Sequence, residues 1–77
     1  MIVKIMTTLT KEDKISVITQ HLKTVDYALY HLELDLIEAE ATATPDTENI
    51  SVINNRIDAL NTKRSALAAE KVKVEAE

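Results

Sequence analysis

The chain has no glycine, no cysteine, no tryptophan, no phenylalanine and a single proline, Pro45. Without cysteine there are no disulfides and no thiolate metal ligands. Glycine takes positive φ at no steric cost, so its absence disfavours tight β-hairpins and phosphate-cradling loops. A chain that avoids both is expected to use long helices, in keeping with its wealth of Ala, Leu, Glu and Lys. Basic charge is also short: 9 Lys and Arg stand against 13 Asp and Glu, a net charge of −4. Nucleic-acid binding needs clustered Lys and Arg and is not expected, and the balance is too mixed for a DNA mimic. No apolar run is long enough to span a bilayer, so no membrane partner is expected. The opening MIVKIM lacks the extended apolar region and small-residue cleavage site of a signal peptide. Met6 is an alternative start. Seventy-seven residues make one small domain, of a size that ordinarily needs a staple, a metal or a partner.

What is present is a heptad pattern. Residues 1–9 carry no helical period and form an unassigned N-terminal arm. Thr10 is a good N-cap, followed by Glu12 and Asp13, where the helix dipole favours acid. Then Ile15, Ile18, Leu22, Val25, Leu29, Leu32, Leu36 and Ala39 alternate spacings of three and four. The short alternation Leu32-Glu33-Leu34-Asp35-Leu36 taken alone reads as a half-buried strand. The longer period overrides it and makes the stretch helical. A turn is expected near 43–46, around Thr44-Pro45-Asp46, with Thr44 or Asp46 capping a second helix. That helix repeats the period in Ile50, Ile53, Ile57, Leu60, Arg64, Leu67, Lys71 and Val74, with two basic intruders.

The expected fold is all-α. Residues 10–77 form a single antiparallel two-helix hairpin of coiled-coil type, with helix 1 over about 10–42 and helix 2 over about 47–75. Each helix is about 45 Å long. Pairing residues whose numbers sum to 89 brings every seam position opposite another, from 39 with 50 to 15 with 74. The same register sets Asp35 across from Arg56, His21 from Glu70, Glu33 from Asn54 and Asp26 from Asn61. Arg64 and Lys71 can keep their stems in the seam while the charges reach out, Arg64 toward Asp26 or His21. The C-terminal stretch from Glu70 is expected to fray.

Helix 1 carries a second apolar stripe: Tyr27, Tyr30, Leu34, Ile37 and Ala41. It lies roughly 150° around the helix from the seam. One partner helix cannot cover both stripes. The outer face of helix 2 is small and mild, with Val52, Asn55, Ala59, Thr62, Ala66 and Ala69. Scattered exposed apolar residues need no explanation, but four large ones in register mark an interaction surface. The expectation is a homo-oligomer of hairpins, a dimer forming a four-helix assembly, or a different protein bound to this stripe.

Chemistry is sparse. His21 and His31, ten residues apart, are expected on different faces of one helix and cannot share a metal. His31 with Asp35 reads as an ordinary surface pair. Glu33, Asp35, Glu38 and Glu40 form a dense acidic patch, readable as a solvated flank or as a docking surface for a basic partner. Catalytic carboxylates need a desolvated pocket, which a two-helix hairpin lacks. Ser16, Ser51 and Ser65 have no His-acid partners. No enzyme activity, cofactor or metal is expected.

The stretch MTTLTKEDKISVITQHLK, the long amphipathic helix after it, the Thr-Pro turn and IDALNTKRSALAAEK together resemble small helical-hairpin proteins encoded by tailed marine cyanophages. The likeness covers most of residues 6–71. It implies phage origin, with residence in the cytoplasm of a bacterial host or in the virion, and carries no residue-level role. Two functions suit the pattern. One is a structural, assembly or adaptor protein acting through coiled-coil association. The alternative is a host-takeover factor that binds and inhibits a host protein through the Tyr27–Ile37 face.

Overall fold

The computed structural model describes residues 8–77. It contains two helices, α1 (Lys11–Glu40) and α2 (Thr47–Glu75), packed as an all-α hairpin. The N-terminal arm expected over 1–9 lies outside the described residues except for Thr8 and Leu9, which precede α1 without regular structure.

Local chemistry sets the helix ends. The Thr10 hydroxyl accepts from the Asp13 N–H at 3.1 Å, and the Asp13 carboxylate accepts from the Thr10 N–H at 3.3 Å. This reciprocal box satisfies two donors that the first turn leaves open. Asp46 does the same for α2, accepting from the N–H groups of Glu48 at 3.0 Å and Asn49 at 3.2 Å. Of the two candidate caps, Asp46 is the one used. The end of α1 falls at Glu40, two residues short of the expected 42. Ala41 still donates to the Ile37 carbonyl at 3.0 Å, but the Thr42 hydroxyl turns back onto the Ala39 carbonyl at 3.1 Å. Side-chain bonding of this kind competes with the helical ladder. No described residue has positive φ, so the connection is made without the conformation that glycine would supply.

The cross-helix contacts make the helices antiparallel. Arg64 reaches Asp26, one position from its expected partner Val25, and Lys14 reaches Glu77 at 3.3 Å. The shallow depressions between the helices tell the same story, with Leu32 and Ala39 beside Ile53 and Val25 beside Leu67. The interior is thin. Val25, Ile53 and Val74 are buried, the remaining apolar seam residues are half-buried, and no described side chain is fully enclosed. Lys71 is half-buried, whereas Arg64 is exposed and reaches across to Asp26 on α1. The Cα radius of gyration is 17.5 Å, against about 11.5 Å for a compact domain of this length. The molecule is therefore a rod with one seam.

The C-terminal segment departs from expectation. It was expected to fray, yet α2 continues to Glu75 and Val74, at 3% exposure, is the most enclosed core residue. Leu9, Val17, Ile18 and Val74 line one depression there. The Lys11 ammonium donates to the Glu77 backbone carbonyl at 3.4 Å, adding a polar contact across the open end.

Candidate interaction surface

The exposed apolar residues fall in one place above all. On α1, Tyr27 is 62% exposed, Tyr30 59%, Ile37 56% and Leu34 39%. Ala41, just past the helix, is exposed too. Their neighbours Leu29, Leu32 and Leu36 are half-buried against α2. The five stripe residues therefore share one outward face, as the 3–4 spacing predicts, spanning about 20 Å of helix.

The stripe has definite ends. Toward the N-terminus its next positions are Lys23, Gln20 and Ser16, all polar and exposed. The Lys23 ammonium sits 5.8 Å from the Tyr27 ring centroid, where the negative face of the ring attracts a cation. Toward the C-terminus it runs into the turn at Ala41. Glu33, Asp35, Glu38 and Glu40 border it, all exposed.

The long side of the hairpin between the helices was not singled out by the sequence. Its depressions are lined by Gln20, His21 and Thr24 from α1 and Lys63 and Ala66 from α2, then by Ala28, His31, Arg56 and Ala59. Ala59 and Ala66 thus border this groove as well as the outer face of α2. The histidines correct one expectation. His21 and His31 do not lie on different faces but line successive depressions on one side. Their separation comes from ten residues of rise, about 15 Å. These depressions are open troughs, and among the described residues no group of His and carboxylates has metal-holding geometry.

Charge pairing is specific at one point. Of the four cross-helix pairs expected on the flanks, Asp35 and Arg56 line one depression without forming an ion pair. Asp26 pairs with Arg64, one of the two partners expected for that arginine, and not with Asn61. The Arg64 guanidinium donates to both carboxylate oxygens, Nε to Oδ1 at 2.7 Å and Nη2 to Oδ2 at 3.4 Å. This fork geometry is the strongest form of such a pair. The hydrogen bond from Arg64 holds the Asp26 carboxyl below the usual carboxylate range; desolvation opposes it, and the Arg64 charge adds a lesser pull in the same direction as the bond. The same bond and the Asp26 charge raise Arg64. Both side chains are about half exposed, so the pair fixes register more than it adds stability.

No described helix is long and apolar enough to cross a membrane. Comparison of the chain with known protein families, with curated proteins and with solved structures finds no match.

Proposed function

We propose that this chain is a non-enzymatic helical interaction protein that acts by association of hairpins through the Tyr27–Ile37 face. A phage structural, assembly or adaptor role fits the resemblance drawn from its sequence. The observation that carries the reading is the exposure of four large apolar side chains in register on one helix face. Together with Ala41 they present roughly 500 Å², near the top of the range for the largest patch on a typical monomer. A rod with three buried side chains among its described residues also has little interior of its own, and association supplies what the single seam lacks.

A second reading has its own observation. The four carboxylates beside the stripe suit a basic partner, as a host-takeover factor would need. Sedimentation equilibrium over a wide concentration range separates the two. Wild type heavier than one chain, with Leu34→Glu at one chain, supports self-association. A monomer at every concentration overturns it and leaves the stripe to a different protein.

A further inference from the structure

We draw no further inference here: the strongest candidate, the outward apolar stripe of Tyr27, Tyr30, Leu34 and Ile37 on α1, carries none, because nothing in the structure shows what covers it.

Discussion

Two stripes on α1 share composition and period but not fate. Leu29, Leu32 and Leu36 on the inner side are half-buried against α2, while Tyr30, Leu34 and Ile37 on the outer side face water. Spacing of three and four residues places apolar side chains on a line. Only a second element decides whether that line is covered. The inner stripe meets α2 because the short connection brings α2 back along it. Among the described residues, nothing in its own hairpin covers the outer stripe. Periodicity therefore reports the need for a partner, and the loop reports whether the chain supplies one.

The largest expected effect breaks this comparison directly. Leu32→Glu puts a charge into the seam and should cost about 3 kcal/mol or more, enough to lose most helicity. Leu34→Glu, two residues away, should leave the far-ultraviolet circular dichroism near wild type and abolish association. Equal loss of helicity in both would mean that the two faces are not separable and that folding requires association.

Much of this was legible from the residues alone, for a physical reason. The heptad from Ile15 to Ala39 and its echo from Ile50 to Val74 are long, so an error at one position changes neither period nor register. The caps were legible because Thr10 and Asp46 act within three residues of themselves. What escaped depends on contacts distant in sequence. The expected register sets Asp26 opposite Asn61, and Asp26 is also one of two partners expected for Arg64; only the folded hairpin selects Arg64, whose long guanidinium reaches across the seam. Its heptad position places Val74 in the seam, but that it is the most enclosed described residue, in a stretch expected to fray, depends on α2 staying helical against the start of α1. The shared side of His21 and His31 was missed because the groove that unites them exists only once α2 is in place.

The open end sharpens the same contrast over two residues of α2. Val74 is 3% exposed and Val72 65%. Val74→Ala should lower stability by about 1–2 kcal/mol, from lost burial and an unfilled gap. Val72→Ala should change it by less than about 0.5 kcal/mol. Urea unfolding at a concentration low enough to hold the chain monomeric measures both. Equal effects would mean that α2 frays before Val74.

A smaller effect concerns the outer face alone. If self-association through the stripe brings Glu33, Asp35, Glu38 and Glu40 near their own copies, raising salt from about 0.05 to 0.5 M should strengthen association by a few-fold, because exposed charges are screened. The stability of a Leu34→Glu monomer should change much less. Association that weakens with salt would point to a contact between unlike charges, and association indifferent to salt to one held by the apolar stripe alone.

The smallest expected effect lies in the ion pair. Asp26 titrates below its usual range because Arg64 hydrogen-bonds its ionised form, so protonation removes an interaction that the unfolded chain lacks. The sign follows. The contribution is fully present above the unfolded carboxylate value, about 4, and is lost as pH falls through the lower folded value. Asp26→Asn removes it at every pH. The two proteins should therefore differ slightly in urea midpoint at pH 7 and converge toward pH 2, whereas carboxylates common to both cancel from the difference. Arg64 stays charged throughout this window, so the convergence reports Asp26 alone. A gap independent of pH would mean that the fork is packing and not charge, and that the register is set by the apolar seam without it.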